Sequence, residues 1–466
     1  MNRHITNFLF VLLFLITMCI RGFSQQQIEA TLNNYYNNYA PERLHFHLDR
    51  EVYAAGDTVW FKVYVMQGFS GSQQSKNLYV DWIDDNAKIL AHQIYPITES
   101  GVAAGLFALP SDFKGTVLHL HAYTKWMLNF DSTFLYNRDI RIVQQFNSSG
   151  KSNNAVRQPK SSDAVSTSAS SQISSSIIPA LTFFPEGGNM VAGISNRIAF
   201  LCCDPWGRPV NIAGEIKDSK GNKVADFQTK HDGMGVSNLL PYSGETYTAE
   251  WKDERGNVHQ TALPSIMQDG IVLKIDDAGE NKRFVIQRSD NATDNLKQLH
   301  IVATMQQRLV YMANVNLNNA TGTTGFIPET SLPAGGMTVT VFDNNWQPIA
   351  ERLCFVDNLQ QSRFPVQITW EKKSLDKRGY NQLLLTLPDS VPANLSLSIT
   401  DMGLPKDSIN NNNIFSELLL TGDIRGRVYN PDYYFSDTTD EVKHNLDLVM
   451  MTHGWRKYDW SKIVKG

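Results

Sequence analysis

The chain has 466 residues, a formal net charge of −4 and a pI near 6.3. The chain therefore has no excess of positive charge, which proteins need to bind the phosphate backbone of nucleic acids. This argues against nucleic acid as the main partner. At about 100 to 150 residues per domain, the length predicts several domains, each with its own hydrophobic core.

The N-terminus has the layout of a secretory signal peptide. Arg3 precedes an apolar run from Phe8 to Ile20, and small residues follow it up to Ser24. The run is about 13 residues long, whereas a membrane span needs about 20, so an uncleaved anchor is the weaker alternative. We expect cleavage after Ser24 (signal peptide 1–24) and an exported protein of the periplasm or outer membrane.

Cysteine content indicates how the exported chain is stabilised. Only Cys202, Cys203 and Cys354 follow Ser24, so a disulfide scaffold cannot hold several domains together. Neighbours on a strand point to opposite faces, so at most one of the adjacent pair lies in a core. We predict small buried thiols, with a bridge from Cys354 to one of the pair as the alternative.

Residues 145–177 divide the chain. They are rich in Ser, Asn, Gln and Lys with few large apolar residues, a composition typical of a disordered linker. Upstream, residues 41–144 alternate apolar and polar residues with the period of a strand, and residues 117–123 continue that pattern. Two strands are especially clear: Leu44, Phe46 and Leu48 in the first, and Val59, Phe61, Val63 and Val65 in the second. This segment predicts a β-sandwich of about 100 residues.

Three more units follow the linker. Residues 178–264, 265–360 and 361–466 each contain several strand-like segments separated by Gly and Pro. In the last unit, Leu395, Leu397 and Ile399 alternate with serines and predict a half-buried strand. Two short helices are predicted at 414–420 and 442–451. The predicted fold class is all-β, with tandem Ig-like sandwiches and a short helical C-terminal segment.

The C-terminal aromatic residues are the candidate partner-binding residues: Trp455, Arg456, Tyr458 and Trp460. Trp, Tyr and Arg are the residues that most often anchor protein interfaces. Packing of this segment against a sandwich of the same chain is the alternative.

Several motifs together resemble the opening domain of bacterial α2-macroglobulin-like (MG2-type) proteins of Bacteroidetes envelopes. The order is Asp49-Arg50, then Tyr53, then Gly56-Asp57, then Trp60-Phe61-Lys62. Further matches are Phe183-Phe-Pro-Glu-Gly-Gly188, Lys230-His-Asp-Gly-Met-Gly235 and Thr452-His-Gly-Trp-Arg456. The resemblance covers nearly the whole exported chain and implies a row of macroglobulin-like β-sandwiches.

The chain also departs from that family. Such relatives often continue into a TonB-dependent receptor plug region, whereas this sequence stops at Gly466. It lacks the Cys-Gly-Glu-Gln thioester signature of protease-trapping macroglobulins, so covalent trapping is not expected. Its most family-specific polar residues, Asp49-Arg50 and Gly56-Asp57, are predicted to form a structural pair and a turn.

Four histidines are the most suggestive metal-ligand types: His45, His47, His119 and His121. Residues two apart on a strand share a face, so imidazoles from neighbouring strands can bind a transition metal. The sequence pattern adds no carboxylate or cysteine ligand to these histidines. Phe46 and Leu120, which alternate with them, are expected to face the core. We therefore predict solvent-facing histidines, no metal site and no cofactor.

Other motifs have structural interpretations. Residues 183–188 lack the Lys-Ser or Lys-Thr of a phosphate loop and predict a strand end and turn. His231-Asp232-Gly233 occurs without a nucleophile elbow and predicts a turn, not a triad. Asp84-Asp85-Asn86 is too short for a calcium loop and suits a hairpin turn.

No set of catalytic residues emerges, so the sequence predicts a non-enzymatic envelope binding or scaffold protein. Its expected partner is an outer-membrane or periplasmic protein, such as a receptor or a transport or secretion component, and membrane contact is expected only through that partner. Two alternatives stay open. One is a truncated member of the plug-bearing family, and the other is a periplasmic or surface hydrolase whose paired carboxylates the sequence does not reveal.

Overall fold

The computed structural model describes residues 26–143, 178–388, 393–400 and 412–454. The predicted signal peptide and the predicted linker at 145–177 lie outside these residues. The described part is mostly β-structure, with three sandwiches, one separate hairpin and a short helical segment near the C-terminus. The all-β prediction with tandem sandwiches is confirmed.

The first sandwich packs a four-stranded sheet on a five-stranded one. The first sheet contains β1 (Glu42–Leu48), β3 (Thr58–Gln67), β4 (Ser70–Gly71) and β7 (Val102–Ala108). The second contains β2 (Val52–Ala54), β9 (Tyr136–Val143), β8 (Val117–Tyr123), β5 (Asn77–Asp84) and β6 (Ile89–Pro96), in that order. The predicted alternation in β3 is confirmed, since Val59, Phe61, Val63 and Val65 are buried in the core while Trp60 is exposed.

The second sandwich follows residue 178. One sheet has the order β10 (Ala180–Pro185), β12 (Asn196–Cys203) and β15 (Met234–Leu239). The other has the order β14 (Lys223–Gln228), β13 (Ala213–Lys217), β16 (Thr248–Lys252) and β17 (Val258–Ala262). A short parallel pair, β11 (Met190–Val191) and β18 (Ile266–Met267), leads to the next unit. Phe183, Phe200 and Phe227 pack edge to face or tilted in its core.

The third sandwich contains the longest hairpins. One sheet has the order β19 (Ile271–Asp277), β20 (Asn281–Arg288) and β23 (Gly322–Pro328). The other has the order β22 (Arg308–Asn316), β21 (Gln298–Met305), β24 (Gly335–Phe342) and β25 (Pro348–Val356). The prediction of several strands within residues 265–360 is confirmed.

One turn design joins strands in all three sandwiches. In each case an Asp carboxylate accepts hydrogen bonds from the backbone N–H groups two and four residues later, and the residue three positions on has a positive φ. The five segments are 84–88, 204–208, 218–222, 253–257 and 343–347. The side chain satisfies backbone donors that the tight turn leaves free. The turn predicted at Asp84-Asp85-Asn86 is one of these.

An N-terminal helix was not predicted. Helix α1 (residues 26–39) places Ile28, Leu32 and Tyr35 against Val302 and Phe342 on the outer face of the third sandwich. The spacing of four and three residues along α1 is the helical period, so the signal was present in the sequence. The helix therefore packs on a sandwich whose residues lie more than 250 positions later in the chain, after the first two sandwiches.

The predicted fourth unit, residues 361–466, is described only in part. The described residues after 360 contain one hairpin, β26 (Gln367–Lys372) and β27 (Gln382–Thr386), preceded by the short helix α2 (Leu359–Ser362). Residues 393–400 carry no strand, so the strand predicted from Leu395 is wrong for the described residues. Ser396 instead bonds the side chains of His47 and Tyr64 in the first sandwich. The predicted boundaries of this unit stay predictions.

The two predicted C-terminal helices are present as a π-helix (Ser416–Thr421) and α3 (Asp440–Thr452). Together with the 3₁₀ turn Pro431–Phe435 they share a core with residues of the second and third sandwiches, including Met234 and Phe355. The helical segment therefore packs against both the second and the third sandwich.

Candidate functional site

A large cleft opens where the first sandwich, the third sandwich and the C-terminal segment meet. Its volume is about 1020 Å³. Strands β1 and β3 form one wall, and the β21–β22 turn with Pro333 and Ala334 forms another. Residues 394–400 and 412–419 close the third side. Apolar side chains such as Met66, Phe69 and Leu419 alternate with polar ones along the lining.

A buried polar cluster joins the first sandwich to the π-helix beside this cleft. His45 Nδ1 lies 2.6 Å from Glu417 Oε2, and both side chains are only 8% exposed. The Tyr136 hydroxyl donates to Glu417 Oε1 at 3.1 Å, and burial, with the Glu417 charge, raises the pKa of this phenol. Arg43 pairs with Asp423 at 2.9 Å and donates to the Leu418 carbonyl. We call these residues the π-helix joint.

A second set of contacts fixes residues 394–396 on the same strands. His47 Nδ1 is 2.5 Å from Ser396 Oγ, and the Tyr64 hydroxyl is 2.9 Å from the same oxygen. The Lys62 ammonium bonds the Asn394 side chain and the Leu395 carbonyl. Burial first, then the neighbouring His45 and cations, lowers the pKa of His47, so its imidazole is neutral at neutral pH. The wall of the cleft is therefore held by hydrogen bonds from one face of the first sandwich.

Gln306 is the most unusual residue of the cleft. It and Gln307 form the two-residue β21–β22 turn with φ of 49° and 64°, a conformation that favours Asn and Gly. Both side chains are buried, at 8% and 5% exposure. Neither Oε1 atom has a hydrogen-bond partner among the described residues, and Gln306 lines the cleft. Backbone strain with an unsatisfied buried amide is a combination that accumulates at binding sites.

A third polar centre links the second and third sandwiches to α3. Glu186 has no exposed side-chain surface and bonds Arg197 in a bidentate pair and Arg352 at 2.9 Å. Arg352 also reaches Asp447 on α3 at 2.6 Å. Burial would raise the pKa of Glu186, but the Arg352 and Arg197 charges outweigh it and hold that pKa below its ordinary value. We call this set the Glu186 joint.

The four histidines are separated by the fold. His119 pairs with Asp139 at 2.6 Å and His121 with Asp81 at 3.3 Å, both on the outer face of the five-stranded sheet. The prediction of solvent-facing side chains is wrong for His45, which lies under the π-helix, because the C-terminal segment covers that face of β1. Across the described residues no group of three His, Cys, Asp or Glu side chains could hold a metal ion.

The family-specific polar residues form a structural cluster, as predicted. Arg50 bonds Asp49 at 3.2 Å and Asp57 at 3.3 Å, while the Tyr53 hydroxyl donates to Asp49 at 2.7 Å. Gly56 has φ of 87° at the turn between β2 and β3. The Arg50 guanidinium and the carboxylates of Asp49 and Asp57 thus pair with one another within the first sandwich.

The remaining motifs also form turns. Residues 183–188 end β10 and turn at Gly187 and Gly188, both with positive φ. His231-Asp232-Gly233 forms a turn before β15, with φ of 42° at Asp232 and 73° at Gly233. What the sequence did not reveal is that Glu186, inside the first of these motifs, is the buried acid at the centre of the Glu186 joint.

All three cysteines that follow the predicted cleavage site are free. Cys202 and Cys354 are buried and Cys203 is half-buried, which confirms both the opposite-face prediction and the small buried thiols. Burial raises the pKa of the Cys202 and Cys354 thiols to about 12, so they are protonated and unreactive at neutral pH.

The predicted partner-binding residues Trp455, Arg456, Tyr458 and Trp460 lie outside the described residues. The residues that shape the cleft and its joints were missed: Arg43, Glu186, Gln306, Arg352 and Glu417. No pattern identifies them, because their partners are remote in sequence; His45 and Glu417, for example, are 372 positions apart. The one local signal is a pair of polar residues in a tight turn that normally carries Asn or Gly.

No protein-family model and no curated protein matches the chain. Among solved structures, Salmonella alpha-2-macroglobulin reacted with methylamine matches at 10% identity and a TM-score of 0.19, covering 75% of this chain and 25% of that one. A biofilm-associated protein BSP domain matches at 13% identity and a TM-score of 0.22, covering 70% and 68%. The Escherichia coli adhesin FdeC matches at 14% identity and a TM-score of 0.15, covering 67% and 96%.

The chain therefore spans about a quarter of the length of the Salmonella macroglobulin. The all-β class of this chain rests on its own sheets. Within the described ranges, no helix combines the length and apolar character needed to cross a membrane.

Proposed function

We propose that this protein is a non-enzymatic binding or scaffold protein of the cell envelope, and that it holds a segment of a partner protein in the cleft between its first and third sandwiches. The partner class that fits the predicted export is an outer-membrane receptor or a transport or secretion component. Gln306 carries the proposal, because a strained turn with an unsatisfied buried amide faces the cleft.

The size and chemistry of the cleft support a polypeptide ligand. Its volume of about 1020 Å³ is at the upper end of the range for small-molecule pockets, about 300–1,000 Å³. An amide such as Gln306 can both donate to and accept from a peptide backbone. The carboxylate of Glu51, which lines the cleft, interacts with neighbouring groups. The carboxylate of Glu417, beside the cleft, is bonded to His45 and Tyr136. This arrangement supports the binding of a polypeptide segment without catalysis.

The test uses two substitutions in one turn. Gln306→Gly and Gln307→Gly relieve the same backbone strain, but only Gln306 lines the cleft. We expect each to raise the free energy of unfolding by about 1 kcal/mol, since glycine adopts positive φ freely. Tagged protein purified from detergent-solubilised envelopes should lose its partner with Gln306→Gly and retain it with Gln307→Gly. Equal partner recovery in both variants would contradict the proposal.

The aromatic tail is tested separately. We propose that Trp455, Arg456, Tyr458 and Trp460 contribute to the same partner interface. Removing residues 455–466 leaves α3 intact, whereas a truncation before Val442 would remove Val449 and Met450 from a shared core and disturb the fold. If the shorter chain recovers the partner as well as the full chain does, the tail is not an anchor.

A further inference from the structure

The β26–β27 hairpin carries an apolar surface that the rest of the described chain leaves exposed. Every residue of β26 is exposed, including Ile368 at 59% and Trp370 at 48%. In the connecting loop Leu375 is 94% exposed, and Tyr380 is 67% exposed. A leucine and two aromatic rings in solvent at one hairpin end lose the favourable free energy of burial that such side chains normally gain.

The charge around these side chains is strongly basic. Residues 371–378 read Glu-Lys-Lys-Ser-Leu-Asp-Lys-Arg, with four cations and two carboxylates, in a chain whose net charge is −4. Within the described residues, none of the four cations forms an ion pair with a carboxylate. The acids are engaged by uncharged groups, Glu371 by Gln382 and Asp376 by Ser374. The hairpin end therefore presents unpaired positive charge beside its apolar side chains.

The cations are positioned against the aromatic rings. Lys372 Nζ lies 5.5 Å from the ring centroid of Tyr380, and Lys373 Nζ lies 5.9 Å from that of Trp370. Each ring thus has an ammonium group close to it, and Leu375 lies in the loop that joins the two strands. Trp and Tyr concentrate at the headgroup level of membranes, where an apolar body and a polar edge are both satisfied.

We propose that the β26–β27 hairpin docks on the surface of an anionic phospholipid bilayer. Leu375 enters the boundary between headgroups and acyl chains, Trp370 and Tyr380 lie at headgroup level, and Lys372, Lys373, Lys377 and Arg378 face the lipid phosphates. Charge complementarity selects this occupant, because each cation near an anionic membrane surface strengthens binding and apolar loop residues add insertion. The proposal goes beyond the expectation that the protein meets the membrane only through a partner, and it does not depend on the cleft.

Vesicle flotation tests the proposal directly. The probe is the predicted mature chain, starting at Gln25, with vesicles of phosphatidylglycerol and phosphatidylcholine or of phosphatidylcholine alone. We expect binding to the anionic vesicles only, weakening as salt rises from about 0.05 to 0.5 M because salt screens exposed charges. Lys372→Ala with Lys373→Ala should lower the partition coefficient by about tenfold or more. Leu375→Ser should lower it about tenfold through lost insertion.

The matched control is the β13–β14 hairpin, which carries Lys220 in its turn and Lys223 at the start of β14, paired with Asp226, and has no aromatic side chain in the turn. Lys220→Ala with Lys223→Ala removes the same charge and should leave binding unchanged. Equal loss in this control, or no flotation with anionic vesicles at low salt, would overturn the proposal. If polyglutamate binds as tightly as the vesicles and Leu375→Ser has no effect on flotation, the surface recognises an acidic protein and the lipid assignment is wrong.

Discussion

The two joints between units and the β26–β27 hairpin use charged residues in opposite ways. At the π-helix joint and the Glu186 joint, acids and bases are buried and paired between units remote in sequence. On the β26–β27 hairpin, cations and apolar side chains are exposed, and the cations have no acidic partner among the described residues. Paired, buried charge fixes one arrangement of the units, because a buried ion that loses its partner is costly. Unpaired, exposed charge is available to an external ligand.

Arg352→Met is expected to have the largest effect. The substitution removes the guanidinium that bonds both Glu186 and Asp447. The Glu186 side chain has no exposed surface. Glu186 keeps its pair with Arg197 but loses one of its two cations, and breaking a buried pair costs about 3–5 kcal/mol. Urea denaturation measures the change. Arg208→Met, on an exposed pair with Asp204, is the control and should give no measurable loss of stability.

Glu417→Ala should give the next largest effect. It leaves His45 and Tyr136 buried without their shared acceptor, and each unsatisfied group costs about 1–3 kcal/mol. Hydrogen exchange should show faster opening of the π-helix while the core of the first sandwich stays protected. Unchanged exchange in residues 416–421 would show that the joint does not hold the π-helix.

The pH dependence of stability tests the Glu186 joint. The folded-state pKa of Glu186 is below its unfolded value, so its contribution is complete above the unfolded pKa of about 4.3 and is lost as the pH falls through the folded pKa. In Glu186→Gln, the stability should fall less steeply with acidification below about pH 4. Parallel slopes for the variant and the parent protein between about pH 5 and 2 would contradict this assignment.

Leu375→Ser should have the smallest effect on stability. The side chain is 94% exposed, so its replacement should change the free energy of unfolding by less than about 0.5 kcal/mol. The same substitution should nevertheless reduce vesicle binding. A large loss of stability would mean that Leu375 packs within the folded chain, and the contrast between joints and hairpin would fail.

Much of the fold could be predicted from local pattern. The alternation of Val59, Phe61, Val63 and Val65 predicted β3, and residues 117–123 predicted β8 with the observed bounds. The strand predicted at Leu395 was wrong for the described residues, because Ser396 bonds His47 and Tyr64 rather than a neighbouring strand. Helix α1 was missed although Ile28, Leu32 and Tyr35 have helical spacing.

The sequence by itself determined the β-sandwich class, the burial of the cysteines and the two C-terminal helices, since each depends on periodicity or composition within a short segment. Only the tertiary structure decided that Arg43, His45 and Glu417 form one joint, that Glu186 meets Arg352, and that Gln306 faces a cleft. Arg43 and Leu418, for example, are 375 positions apart. The reason is physical: local pattern sets which face of a strand is apolar, but the partner that covers its polar face is set by how the units pack.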